Sequence, residues 1–260
     1  MSGATYVAAG SLDEALDALA SGARPIAGGT DLVVGSRSGA KPMPGAIVAI
    51  HALDELRALD TTAGLRAGAL VSHATLAADP VVAASYTALA DASAIVGSHA
   101  TRAQGTIGGN VMNASPAMDT GGALLCLDGV VTLRAAGGAT REVPLDELWT
   151  GPGRTTAEPG ELLTAVTLPP VAPGTGSAYV RLEYRRQMEI AVVGATAVVR
   201  LEGDAIAGAR VAITALAPTI RRVPEAEAAL DGSRGDRAAA DAAGAAAAAA
   251  SAPISDVRGS

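Results

Sequence analysis

"TRAQGTIGGNVMNASPAMD", residues Thr101 to Asp119, sets two adjacent glycines among threonines, asparagines, a serine and a closing aspartate. An exposed loop would carry more charge, and a core strand would not bury so many small polar groups. Glycine accepts positive φ and lets a ligand approach the backbone where a Cβ would stand in the way. A second double glycine, Gly28-Gly29 in "PIAGGTDLV" (Pro25–Val33), runs on into Thr30 and Asp31 and follows the same logic. Consecutive amides in such turns can converge on one concavity and hold an anion, with neighbouring hydroxyls adding donors. Two such turns suit a pyrophosphate gripped from both sides, although each alone also reads as a plain tight turn. The chain has no G-x-G-x-x-G and no Gly-Lys pair, which excludes Rossmann and Walker-type phosphate loops.

The bulk properties bound the answer. A length of 260 residues, 49% of them hydrophobic, is enough for two domains, or one large one, with a substantial core. Aromatics make up only 2%, with no Phe, so Ala, Val and Leu must fill that core. A net charge of −7 leaves no basic stripe to neutralise phosphates and argues against nucleic-acid binding. No apolar run is long enough to span a membrane, and "MSGATYVAAG" lacks the charged start and apolar stretch of a signal peptide. A cytoplasmic location is the expectation. Cys126 is the only cysteine, which rules out an internal disulfide or a cysteine-ligated cluster within this chain.

Along the chain, Ser11 and Glu14 form a capping box for a helix with apolar positions Leu12, Ala15, Leu16 and Leu19. A short strand, the first glycine turn, a second helix and the buried strand "AIVAI" (Ala46–Ile50) complete a strand–helix–strand–helix–strand unit. "GLRAGALVSHATLAADP" supplies a strand and a helix start, and "SYTALADASAIVG" an apolar helix. Further on, "GVVTLRAA", "REVPLDELWTG", "ELLTAVTLP" and the run from Ser177 to Leu216 alternate like sheet strands, the last pair forming a hairpin about "EGDAIAG". Pro169, Pro170, Pro173 and Gly174 mark a domain boundary near residue 172. The alanine-rich tail from Arg237 is helical by propensity and reads as a solvent-facing or bundle helix. His51, His73 and His99 lack metal spacing and read as structural or solvated. Cys126 reads as a small buried hydrophobe, and the acidic pairs Asp13-Glu14 and Asp54-Glu55 as helix starts.

"PIAGGTDLV", followed some eighty residues later by "TRAQGTIGGNVMNASPAMD", closely resembles the FAD-binding subunit of molybdenum hydroxylases, the carbon monoxide dehydrogenase and xanthine dehydrogenase family. The resemblance runs the length of the chain and includes "RLEYRRQMEIAVVGA" (Arg181–Ala195). It implies an α+β fold: a two-subdomain FAD-binding region of the vanillyl-alcohol oxidase type over residues 1–172, divided at 55/56. A C-terminal domain with a small antiparallel sheet and helices would fill 173–260. Relatives continue past "PISDVRGS" into a further helix, so an incomplete C-terminal bundle is expected.

The same resemblance implies site residues. Pro25, Ile26, Ala27, Gly28, Gly29, Thr30, Asp31 and Leu32 would wrap the FAD pyrophosphate with their amides, opposed by Thr106, Ile107, Gly108, Gly109 and Asn110. Asn113 and Asp119 would lie along the ribityl–phosphate region, with Val96 and Leu163 as apolar walls. Arg181 stands where many relatives have Lys, and Glu189 where many have Asp; both keep the charge but change the geometry. Trp149 could shield the flavin but reads better as a core or interface residue. The cofactor implied is noncovalent FAD, with molybdopterin and 2Fe–2S clusters only in partner subunits, because one cysteine cannot ligate the four-cysteine cluster some relatives add. The partners implied are a molybdopterin-binding large subunit and a 2Fe–2S small subunit in a dimer of heterotrimers. The function implied is electron transfer from the clusters to FAD and on to an external acceptor. A stand-alone FAD oxidase or flavin carrier is the alternative.

Overall fold

The computed structural model describes residues 5–39 and 42–259. At the N-terminal end, β1 (Thr5–Ala8), α1 (Leu12–Ala20), β2 (Arg24–Ile26), α2 (Leu32–Arg37) and β3 (Ala46–Ala49) build the expected unit. Its three strands are parallel in the order β1-β3-β2, the arrangement that helical crossovers produce. Ser11 caps α1 by accepting the Glu14 amide at 3.2 Å, while the Glu14 carboxylate reaches back to the Gly10 amide at 2.8 Å. The apolar face of α1 packs with Val48, Ile50, Leu53, Leu56, Leu70 and Leu162 in a core of its own. Each fully buried leucine contributes about 2 kcal/mol of transfer free energy there.

The second layer begins with β4 (Leu59–Asp60) and β5 (Leu65–Gly68). A run of helices follows: α3 (His73–Ala78), α4 (Pro80–Ser85), α5 (Thr87–Ile95), α6 (His99–Gln104), α7 (Ile107–Asn113) and α8 (Asp119–Cys126). The chain then returns through β6 (Val130–Arg134), β7 (Thr140–Pro144), α9 (Leu145–Leu148), β8 (Trp149–Gly151), β9 (Arg154–Thr155) and β10 (Leu162–Leu168). The antiparallel sheet has the order β4-β5-β10-β6-β7, with β10 central. That position explains why "LLTAVTL" is apolar without alternation: both faces of β10 are covered. The alternation expected through "REVPLDELWTG" is interrupted by α9, which buries Leu145 and Leu148.

The C-terminal part is a meander of β11 (Thr175–Leu182), β12 (Val193–Glu202), β13 (Ala205–Thr214) and β14 (Arg221–Arg222), followed by α10 (Pro224–Leu230) and α11 (Arg237–Ala249). The β12–β13 hairpin is the one expected at "EGDAIAG". Tyr179, Val198, Ala212 and Ile220 join the same core as the five-stranded sheet and its helices. Ile206, Val211 and Ile213 form a separate cluster with α10 and α11, so the alanine-rich tail is a packed helix with a solvent face.

Candidate functional site

Between the N-terminal unit and the helices of the second layer lies a cavity of about 610 Å³. Sites that hold small molecules and cofactors span roughly 300–1,000 Å³. Its walls come from residues 23–32, from the α6–α7 junction, from the Glu158–Leu163 turn and from Val96.

The first glycine turn supplies backbone donors. The Ile26 carbonyl still accepts the Ile50 amide at 3.0 Å, but past it the chain leaves the sheet. Among the described residues, no protein acceptor meets the amides of Ala27, Gly28, Gly29 or Thr30. Pro25 has no N–H to offer, and Ile26 belongs to β2, so the expected amide wrap narrows to the turn itself. Gly29 has φ +71°, which a side chain would strain. Gly28 is fixed by proximity: a Cβ there would lie 1.8 Å from the Gln104 carbonyl oxygen, so the turn rests directly on the end of α6.

The second glycine pair is different. Gly108 and Gly109 have no positive φ; they are helical residues of α7, whose cap is Thr106. The Ile107 amide donates to Val71 O at 2.9 Å and the Gly108 amide to Ala69 O at 3.0 Å. The Gly109 amide donates to Thr106 Oγ1 at 3.1 Å, and the Asn110 amide to Thr106 O at 2.9 Å. This corrects the expectation of a second amide nest, because every N–H from 107 to 110 is already bonded within the fold. The segment instead presents the Thr106 hydroxyl, bare glycine backbone, and the Asn110 and Asn113 side chains to the cavity. Asn110 Oδ1 accepts the Thr120 hydroxyl at 2.6 Å. Asn113 Nδ2 donates to Asp31 Oδ1 at 3.1 Å and ties the two loops together. Ile107 turns its side chain into the core and does not line the cavity.

Leu32, Val96 and Leu163 line the cavity, whereas Asp119 and Arg181 do not. Asp119 accepts the Tyr179 hydroxyl at 2.7 Å and pairs with Arg181 Nη1 at 2.9 Å; Arg181 Nη2 reaches Glu183 at 2.5 Å. Both members of the Asp119–Arg181 pair are buried, so they satisfy each other instead of facing the cavity. Burial pushes the Asp119 carboxyl above the usual carboxylate range, against the stabilising Tyr179 and Arg181 donors. Burial, together with the neighbouring Asp119, raises the Tyr179 hydroxyl far enough that it remains a donor. Glu189 pairs with Arg185 at 3.0 Å. Trp149 is buried, with Nε1 donating to Val111 O at 3.0 Å, and Cys126 is buried with its thiol pushed up to about 12.

Several lining residues carried no sequence signal, among them Arg24, His73 and the Glu158–Glu161 turn. His73 is 1% exposed, and burial, helped by the charge of Arg102, pulls its pKa down to about 4. It is therefore neutral at neutral pH.

These residues suit FAD. Free amides and the Thr106 hydroxyl match a pyrophosphate, which only accepts hydrogen bonds, and Ile26, Val96 and Leu163 give apolar surface for rings. Among the described residues no cluster of three or more His, Cys, Asp or Glu could hold a metal ion, and no helix is long and apolar enough to cross a membrane.

Comparison with known proteins agrees. Residues 2–171 match the family model of the FAD binding domain in molybdopterin dehydrogenase, and residues 178–260 that of the CO dehydrogenase flavoprotein C-terminal domain. The carbon monoxide dehydrogenase medium chain of Afipia carboxidovorans is 32% identical over 251 residues, covering 94% of this chain and 84% of that protein. The xanthine dehydrogenase FAD-binding subunit of Escherichia coli O157:H7 is 31% identical over 229 residues, covering 86% and 78%. The structure of carbon monoxide dehydrogenase from Hydrogenophaga pseudoflava lacking the Mo-pyranopterin moiety superposes with a TM-score of 0.93 at 30% identity, covering 99% of this chain and 90% of that one. The chain belongs to the FAD-binding medium subunits of the molybdenum hydroxylases, an oxidoreductase family whose flavin subunit uses FAD.

Proposed function

We propose that this chain is the electron-transfer subunit of a molybdenum hydroxylase, linking 2Fe–2S clusters in a small subunit to an external electron acceptor. The molybdopterin would sit in a large subunit, with the whole a cytoplasmic dimer of heterotrimers. Bound FAD supplies the redox chemistry, accepting electrons singly and releasing them in pairs. This chain's residues bind and orient it. The amides of Ala27, Gly28, Gly29 and Thr30 hold the pyrophosphate from one side, and Thr106, Asn110 and Asn113 close on it from the other. Ile26, Val96 and Leu163 exclude water from the ring surfaces. The observation that carries this reading is the cavity with four unbonded amides on one wall and side-chain donors on the other.

Attachment is noncovalent, since no cysteine and no histidine but the neutral, buried His73 lines the cavity. Acid treatment of the purified protein should release all of its yellow colour as FAD; flavin retained on the polypeptide, or FMN in the supernatant, would overturn this. Co-expression with neighbouring genes should yield an assembly containing molybdenum, iron and FAD. If the isolated chain instead turns over an organic substrate at about 1 per second or faster, the stand-alone oxidase reading replaces this one.

A further inference from the structure

Behind the junction of the two loops stands the imidazole of His73, at the first position of α3. Its backbone is locked to the second loop: the His73 amide donates to Gly105 O at 3.1 Å, and Ser72 pairs with Thr106 as an isolated bridge. Ser72 also caps α3, its hydroxyl accepting the Thr75 amide at 3.1 Å. The backbone that carries the ring is therefore tied to the loop that forms the cavity wall.

The two ring nitrogens have different fates. Nδ1 is sealed from solvent and has no hydrogen-bond partner, whereas Nε2 is not sealed in this way. The Cδ2–Nε2 edge faces the gap between the loops: a Cβ on Gly105 would lie 3.3 Å from His73 Cδ2 and 3.5 Å from Thr30 Oγ1. A neutral imidazole carries one proton, and a buried orphan N–H is costlier to leave unpaired than a bare ring nitrogen. The proton therefore belongs on Nε2, at the accessible edge. Among the described residues lining the cavity, Arg24 is the only Lys or Arg, so beyond that single cation a doubly charged anion there depends on neutral donors.

We propose that His73 is a positioning residue for the cofactor, donating a hydrogen bond from Nε2–H to a phosphoryl oxygen of the pyrophosphate held between the two loops. This rests on the reading of the cavity as the FAD site. The imidazole adds a side-chain donor from the floor to the backbone donors of the first turn. Burial keeps the ring neutral at neutral pH in the flavin-free protein, so this donor carries no charge of its own.

The test uses the flavin-free protein in the assembly in which it is isolated, titrated with FAD by quenching of flavin fluorescence and with ADP by competition. His73→Phe keeps the ring but has no donor. His73→Asn places its amide where Nδ1 was, and His73→Gln reaches the position of Nε2. Both Phe and Asn should weaken FAD and ADP by roughly ten- to a hundredfold, the effect of a hydrogen bond to a charged group, while Gln stays within roughly threefold of wild type. Wild-type affinity in all three variants overturns the proposal, and so does equal weakening in all three, which would mean packing alone. Wild-type protein that binds neither FAD nor ADP overturns the cavity reading and this inference with it.

Discussion

At Gly28-Gly29 the chain leaves a strand with its amides unbonded, whereas at Gly108-Gly109 it enters a helix with every amide engaged. Both pairs carry the same residues, and both line the cavity. The first glycines are needed for backbone conformation and for seating on α6; the second leave room on the cavity side of a helix. A double glycine thus marks a place where backbone must come close to something, without saying whether that is a ligand, another loop or both. Here the division of labour makes one wall of backbone donors and one of side-chain donors.

The largest effect should separate the two pairs. Gly28→Ala forces a methyl into the Gln104 carbonyl, 1.8 Å from the ideal Cβ, where backbone on both sides cannot yield cheaply. The expected cost is about 3 kcal/mol or more, read as a large fall in melting temperature together with loss of flavin. At Gly109 a Cβ meets only Thr106 Oγ1, at 3.0 Å, on a helical backbone. Gly109→Val should leave the melting temperature of the flavin-free protein near wild type while abolishing FAD binding, because the branched side chain projects into the cavity. If both variants melted alike, the structural contrast between the pairs would be wrong.

Acid stability probes the floor beneath the second loop. The pKa of His73 falls from the usual histidine value of about 6.5 to about 4 on folding, so between these values the unfolded chain binds the extra proton. Stability contributed by the neutral ring is complete above pH 6.5 and is lost as pH falls towards 4. The loss is at most about 3 kcal/mol. Denaturant titrations of wild type and His73→Phe over this window should diverge with that sign, and parallel curves would contradict the burial assigned to the ring. The smallest effect belongs to the helix cap. Thr106→Ala removes the acceptor for the Gly109 amide and should cost about 1 kcal/mol in the flavin-free protein. The melting temperature should drop by several degrees less than for Gly28→Ala.

The small parallel unit was legible because its signals are local. The Ser11 and Glu14 cap, the spacing of Leu12, Ala15, Leu16 and Leu19, and the apolar run at Ala46 each act within a few residues. The apolar run of β10 showed a strand, but not that it would be the central one, since centrality is a property of its neighbours. Helix α9 was missed because four residues are too few for a helical period to outweigh the alternation around them.

Within the candidate site, the two glycine pairs were marked by their own residue patterns, whereas Val96 and Leu163 were expected only from the family resemblance; all of them line the cavity. His73 was not marked, since a lone histidine at the start of an ordinary helix looks the same whether its ring meets solvent or a cavity. The ion pair of Asp119 and Arg181 could not be read from positions 62 residues apart. The sequence by itself marked where glycines free the backbone and where hydroxyls and amides cluster. Only the tertiary structure decided which amides are left to bind. An N–H is available only if no carbonyl lies opposite it, and those carbonyls, Val71 and Ala69 for the second loop, come from a distant strand exit that local sequence cannot align.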